Sequence, residues 1–468
     1  MALRKRRPLR GTTILRRRYR GALGLSLSAE IRDTVRLALP VMLARLGVLT
    51  IVVMDTAMSG RVSAADLAWY SIAVAPQVPM LLIGIGVLMG TVVMTAQAVG
   101  ANQLEKCGAI WRTAIAHAAV VGFLMLLLCT WGEEFFLAVG QSPEIAAGAG
   151  RVLQALGYGI PGMLLYVCTI LLLEGIGRPK PGMYIMFGAN ILNLALNWIM
   201  VFGNLGFPAM GAEGAALASS IVRWCIFFAA AAYVLRYVDR QRFGLFAPGD
   251  PKERLGPRMR SIGLPMGLAQ GLESSAFGSM MLVAGLLGTT QVNGFAIPMN
   301  LLTLAFMGAI GLATAASVRV GRAVGRGDSM GVQRAGWVAV GLVLIYMLLV
   351  AILFSLFRFP IIGIYTHDAT VLAVAAATLS IAVLVTLPDG AQAVIVGALR
   401  GASDAWPAVI LYLIGFWGVM VPLGYWLAIL QGMGAQGLMI SVACGALTTA
   451  ILLALRFHKV SRRAVRRV

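Results

Sequence analysis

The sequence predicts an all-α membrane protein of twelve transmembrane helices, arranged as two six-helix lobes related by pseudo-two-fold symmetry. Three observations lead there. Of 468 residues, 59% are apolar and only 12% charged, and the mean hydropathy of +0.86 exceeds what a soluble core uses. The apolar residues fall into twelve runs, each able to supply the roughly 20 residues that a helix needs to cross a bilayer. The second half of the chain also repeats landmarks of the first at a nearly constant spacing.

The runs lie at about 34–59, 67–98, 109–131, 148–173, 183–203 and 212–237, each bounded by Gly, Pro or charge clusters. A polar stretch, DRQRFGLFAPGDPKERLGPRMR, intervenes. Six more runs follow at about 262–289, 291–317, 332–357, 370–399, 406–430 and 435–457. The expected organisation is a basic tail (1–32), an N-lobe (33–238), a linker (239–260), a C-lobe (261–457) and a second basic tail (458–468). No cleavable signal peptide is expected, because the first apolar run begins only near residue 34 and is long enough to span.

A net charge of +20 invites a nucleic-acid reading, but the charge is not where nucleic acid would need it. Residues 1–32 carry ten Lys/Arg, residues 236–260 seven and residues 456–467 six. With the even-numbered loops the total is 32, against Arg61, Arg151 and Arg358 in the odd-numbered ones. That asymmetry is the positive-inside signal, and it predicts both termini on the cytoplasmic side of the membrane. The N-terminal tail is expected to meet anionic lipid headgroups. The five cysteines form no C-x-x-C pair and read as small apolar residues in the bilayer.

The repeat is explicit. LALPVML at 37–43 returns as IGLPMGL at 262–268, so Pro40 and Pro265 stand 225 apart, as do Gly100 and Gly325. EGIGRPKP at 174–181 answers RGASDAWP at 400–407, and MGAEG at 210–214 answers MGAQG at 433–437. Each half holds an even number of spans, so both repeats keep the same orientation and are related by an axis along the membrane normal. That symmetry recurs in secondary transporters.

Ionisable groups inside spans are costly, about 2.5–3.5 kcal/mol for an Asp at a helix centre on insertion scales. Asp55 (VVMDTAMSG), Glu273 (LAQGLESSAFGS) and Asp389 (VTLPDGAQAVIV) are therefore the candidate cation-coupling and substrate-binding residues. Arg45 and Arg223 are the intramembrane cations available to pair with them, two bases against three acids, and Arg45 is the candidate charge partner of Asp55. Asn190, Asn193 and Asn197 fall on one face of span 5 and read either as interhelical hydrogen-bonding groups or as a polar cavity wall facing Asp55. No G-x-x-x-x-G-K-[ST] and no H-E-x-x-H is present, so neither ATP hydrolysis by a P-loop nor a zinc site of that type is expected. No cofactor is expected, and energy would come from an ion gradient.

From about residue 33 to 457 the chain resembles the multidrug and toxic compound extrusion family, in its NorM-like branch. The segments that carry the resemblance include LPVMLARLGVLTIVVMDTAMSG, AQAVGANQ, EGIGRPKPGMYIMFGANILNLALNWIMVFGNLGFPAMGAEGAALASSIVRW, GLPMGLAQGLESSAFG, VRVGRAVGRGD and LPDGAQAVIVGALRGASD. The resemblance implies a monomeric twelve-helix antiporter that exports bulky, often cationic, organic compounds in exchange for H⁺ or Na⁺ by alternating access. It implies that Asp55 is the span-1 carboxylate and that Glu273 and Asp389 hold the coupling cation, a Na⁺ candidate among them. Asn193 and Asn197 match polar residues near that aspartate. Arg45 departs from the family pattern, which has an uncharged residue there, and TQVNGFAIPMN lacks a His-Gln pair. Two rival readings stand beside this one: a lipid-linked precursor flippase of the same superfamily, and a membrane-embedded enzyme using Glu273 and Asp389 as acid and base.

Overall fold

The computed structural model describes residues 27–247 and 254–462. Most of the N-terminal basic tail, residues 248–253 of the linker and the end of the C-terminal tail lie outside the described residues. Twelve long helices appear in the predicted order. In the N-lobe these are α1 (Leu27–Val62), α2 (Ala64–Gly100), α3 (Lys106–Thr130), α4 (Pro143–Gly175), α5 (Lys180–Met200) and α6 (Gly211–Tyr237). In the C-lobe they are α7 (Leu255–Gly285), α8 (Thr289–Arg326), α9 (Ser329–Leu356), α10 (Ala369–Gly401), α11 (Trp406–Leu430) and α12 (Gly434–Ser461). All but α7 are apolar enough along their length to cross a membrane by composition alone. Among the described residues there is no strand.

The helices outrun the apolar runs. With 36 residues, α1 is about 54 Å long, well beyond the roughly 30 Å hydrocarbon core. The surplus is its polar first turns, LSAEIRD, which place the helix start before the predicted lobe boundary. Apolar length marks where the membrane is. Backbone hydrogen bonding continues past it.

Symmetry is visible in the irregularities. Short helices Gly132–Ala138 and Arg358–Gly363 follow α3 and α9. Within the lobes, however, α2 and α4 are each interrupted, at Met89 and at Tyr158–Gly159, whereas α8 and α10 run on despite Pro298 and Pro388. In α11, normal turns alternate with wide i→i+5 turns over Leu413–Met420 and Trp426–Leu430, a feature often found at functional sites.

The lobes meet where α1 lies along α8 and α2 along α7, two contacts that the pseudo-two-fold exchanges. Glycines set the approach. A Cβ on Gly86 would sit 2.5 Å from the Cα of Gly267, and its repeat partner Gly311 is closed in the same way by Met42, itself the repeat partner of Gly267. Farther toward the face bearing both described chain ends, Gly100 abuts the Arg322 backbone and Gly325 abuts Gln97. Gln97 and Arg322 are 225 apart, so these are two copies of one contact. Their side chains repeat it too: Gln97 Nε2 donates to the Gly401 carbonyl at 3.0 Å, and an Arg322 guanidinium nitrogen donates to the Gly175 carbonyl at 3.1 Å. Arg319 adds an ion pair to Glu30 and a hydrogen bond to Thr34. These contacts lock the lobes together at the termini face.

The start of the linker belongs to the N-lobe. Phe243 and Leu245 are buried, Gly108 N donates to Phe243 O at 2.8 Å, and Arg112 donates to the carbonyls of Gly244, Leu245 and Ala247. Gly244 (φ +57°) lies so close to α3 that neither it nor Gly108 has space for a side chain.

Candidate functional site

Two acidic sites are built, one per lobe, and they differ. In the N-lobe, Asp55 is 1% exposed and both of its oxygens are fully engaged. Oδ1 accepts from Asn197 Nδ2 at 2.7 Å and Asn193 Nδ2 at 3.1 Å. Oδ2 accepts from the Tyr70 hydroxyl at 3.0 Å and from the Ser219 hydroxyl. Four donors from α2, α5 and α6 meet about four lone-pair positions of a carboxylate on α1. The i, i+4 spacing of the two asparagines makes this work, since one amide then supports the other: Asn197 Nδ2 also reaches Asn193 Oδ1 at 3.1 Å.

In the C-lobe, Glu273 on α7 and Asp389 on α10 are each 8% exposed and are electrostatically coupled to one another. Each has one glutamine three residues away on its own helix. Gln392 Nε2 donates to Asp389 Oδ1 at 2.8 Å, and Gln270 Nε2 stands 3.5 Å from Glu273 Oε2. Having given its amide nitrogen to Asp389, Gln392 leaves Oε1 buried with no partner. Tyr412, at the junction of α11's normal and wide turns, is buried beside Phe416 and coupled to both acids. The site is therefore rich in acceptors and short of donors or cations.

Among the described residues, none of the three acids makes an ion pair with Lys or Arg. Arg223 is coupled to Asp55 without touching it. Its guanidinium donates to Leu156 O at 3.1 Å and, with the Gln77 amide turned to present its oxygen, to Gln77 at 2.8 and 3.0 Å.

Arg45 is not the partner of Asp55. Ten residues separate them on one helix, about 15 Å along the axis, and Arg45 instead shares a small cleft with Glu174, Tyr166 and Met186. Glu174 is 3% exposed and its Oε2 has no hydrogen-bond partner. Its charge is coupled to Arg45 and, across the lobe interface, to Arg400. Arg400 is held by Ser317 Oγ at 3.3 Å and Met89 Sδ at 3.3 Å.

The sequence profile of the MatE family matches twice, over residues 40–199 and 265–426, one copy in each lobe and starting at the paired prolines. The chain belongs to the MatE family. Its relatives include the "Probable multidrug resistance protein NorM" of Caulobacter vibrioides, 34% identical over 453 residues, covering 96% of this chain and 94% of that protein. The "Multidrug resistance protein PmpM" of Pseudomonas aeruginosa is 31% identical over 450 residues, covering 95% and 94%. Among solved structures, the eukaryotic MATE transporter AtDTX14 superimposes with a TM-score of 0.85 at 20% identity, covering 94% of this chain and 98% of that one. A multidrug resistance MATE transporter described as outward-facing gives 0.83 at 19%. These structures support the two-lobe MatE fold of twelve helices.

Within this MatE chain the predicted residues separate into three groups. Asp55, Asn193 and Asn197 come together. Glu273 and Asp389 come together elsewhere. Asn190 joins neither, because it donates to Gly47 O at 3.1 Å and to Met186 O at 2.8 Å, tying α5 to α1 away from Asp55. Sequence reasoning missed Tyr70 and Ser219, ordinary polar residues until the helices pack. It also missed Gln392 and Gln270, whose i±3 spacing from the acids was a readable signal. Glu174 is a further buried acid, which the repeat sets opposite Arg400.

Proposed function

We propose that this chain is a multidrug efflux antiporter of the bacterial inner membrane, exporting organic and often cationic compounds in exchange for H⁺ or Na⁺. One observation carries the reading: two buried carboxyl groups that feel one another's charge, with a neighbouring orphan amide oxygen and no paired cation among the described residues. Burying such charge uncompensated is costly, so the C-lobe pair is completed by something that comes and goes. A proton or Na⁺ completes it in one state. A cationic passenger competes for the same negative charge in the other, which couples the two movements.

Both termini then face the cytoplasm, following the positive-inside asymmetry, and the Gln97, Arg322 and Arg319 contacts close the cytoplasmic side. Inward opening requires these to break as the lobes rock. Because residues 243–247 are fastened to α3, they move with the N-lobe as the lobes rock. The membrane potential supplies about 2.3 kcal/mol per charge per 100 mV. Exchange of one H⁺ for one monovalent cation moves no net charge, so voltage drives export only if more than one cation enters.

The test is ethidium efflux from proteoliposomes with the Na⁺ and pH gradients imposed separately. Efflux driven by one gradient identifies the coupling ion. Equal dye flux with neither gradient overturns antiport.

A further inference from the structure

A groove of about 670 Å³ opens on the N-lobe surface between the termini-face ends of α1, α5 and α6. Its size falls in the range of small-molecule sites. Four cations line it, Arg36, Arg178, Lys180 and Arg236, and no Asp or Glu does. Arg178 is anchored to the Tyr237 carbonyl at 3.1 Å. Arg36, Lys180 and Arg236 are exposed and have no hydrogen bond or ion pair among the described residues. The adjoining hollow holds the acids Glu30, Asp33 and Asp328, which Arg36, Arg319, Arg322, Arg326 and Arg334 outnumber.

Beyond the cations the groove is apolar. Leu37, Ile185 and Ala229 line it, together with Tyr184, Tyr233 and Tyr237. Tyr233 and Tyr237 lie with ring centroids 5.1 Å apart. Tyrosines of this kind sit at the level where headgroups meet hydrocarbon, and Lys and Arg reach from helix ends to the same level. The basic N-terminal segment is not a suitable occupant: residues 1–26 carry nine Lys/Arg and no acid, so they would repel these cations.

We infer that this groove binds one anionic glycerophospholipid of the adjacent leaflet, its phosphate held by Arg36, Lys180 and Arg236 and its acyl chains lying along the tyrosine-lined wall. A cationic recess between transmembrane helices, continuous with an apolar surface, matches that ligand in both charge and shape. The inference requires only that the helices span a membrane, and it stands whether or not the chain exports drugs.

The test is titration of the detergent-purified full chain with dioctanoyl phosphatidylglycerol, dioctanoyl phosphatidylcholine and glycerol phosphate, followed by native mass spectrometry. Saturable binding of the phosphatidylglycerol is expected, with phosphatidylcholine about tenfold or more weaker and glycerol phosphate silent. Removing three charges from the groove (R36A/K180A/R236A) should abolish that preference, while removing three from elsewhere on the same face (R334A/K459A/R462A) should preserve it. Ala232→Trp fills the groove without changing charge and should also weaken binding, which guards against misfolding of the triple variant. Equal loss in both triple variants would mean diffuse surface charge and overturn the site. So would unaltered binding in Ala232→Trp, equal affinity for phosphatidylcholine, or competition by glycerol phosphate.

Discussion

The two lobes descend from one repeat, yet they treat buried carboxylates in opposite ways. The N-lobe surrounds Asp55 with four donors, so its charge is solvated by fixed protein dipoles. The C-lobe places two carboxylates together with one close amide donor, on Gln392, and a long second contact from Gln270. The sites are not equivalent by symmetry either. The repeat partner of Asp55 is Met280, and those of Glu273 and Asp389 are Val48 and Met163, which line the Arg45 and Glu174 cleft. Asp55 finds its hydrogen-bond partners within the protein, and under the proposed antiport the unsatisfied C-lobe pair is the one that takes up the cation.

The sharpest test of this contrast sets the two sites against each other. Glu273→Gln with Asp389→Asn should cut gradient-driven dye efflux by about tenfold or more and leave membrane abundance intact, because neutralisation removes a repulsion. Its melting midpoint should hold or rise. Asp55→Asn should also lose efflux, but with a lower melting midpoint, since the amide replaces one of the two acceptor oxygens and removes the charge that strengthens the remaining bonds, a loss of roughly 1–3 kcal/mol. If both variants move stability in the same direction, the contrast fails.

A second comparison uses the interlocked face. Gln97→Ala and Arg322→Ala each remove one copy of the same interlobe bond, worth about 1 kcal/mol. Each should increase labelling of a cysteine placed near Gly401 or Gly175 by a membrane-impermeant reagent applied from the termini side, and the two together should do so additively. No change in labelling would show that the backbone contacts at Gly100 and Gly325 hold this face closed without the side chains.

The smallest expected effect lies at two equivalent helix starts. Asp368 caps α10 by accepting from Thr370 N at 2.8 Å and Val371 N at 3.2 Å, whereas Ser142, 226 earlier, makes no side-chain cap to α4. The Thr370 side chain and those amide donors hold the Asp368 carboxyl below its ordinary range. A depressed value means that the cap stabilises above the unfolded-state pKa and is lost as pH falls through the folded one. Asp368→Ala should therefore lower the melting midpoint at neutral pH, with the difference vanishing in acid, and Ser142→Ala should do neither. A difference independent of pH would assign the effect to something other than the carboxylate.

The sequence made the architecture readable for a physical reason: apolar length and Gly/Pro spacing are local properties, and the prolines at 40 and 265 open both family matches. The acids were readable because charge inside a span is rare at any packing. What surrounds them was not. Tyr70 and Ser219 reach Asp55 from sequence separations of 15 and 164, so only packing makes them ligands. Arg45 shares a helix with Asp55, yet ten residues of helix set the two almost three turns apart, and only packing reveals Glu174 as its neighbour.

Glu174 and Arg400 occupy the same place in the two repeats, and their charges are coupled across the lobe interface. In a true homodimer, residues on the two-fold axis meet their own copies, so an acid faces an acid and a base faces a base. Fusion of both copies into one polypeptide releases that restriction, and here the formerly identical positions have become plus and minus. Opposite charges at two equivalent positions are thus a difference that a pair of identical subunits could not hold at its axis.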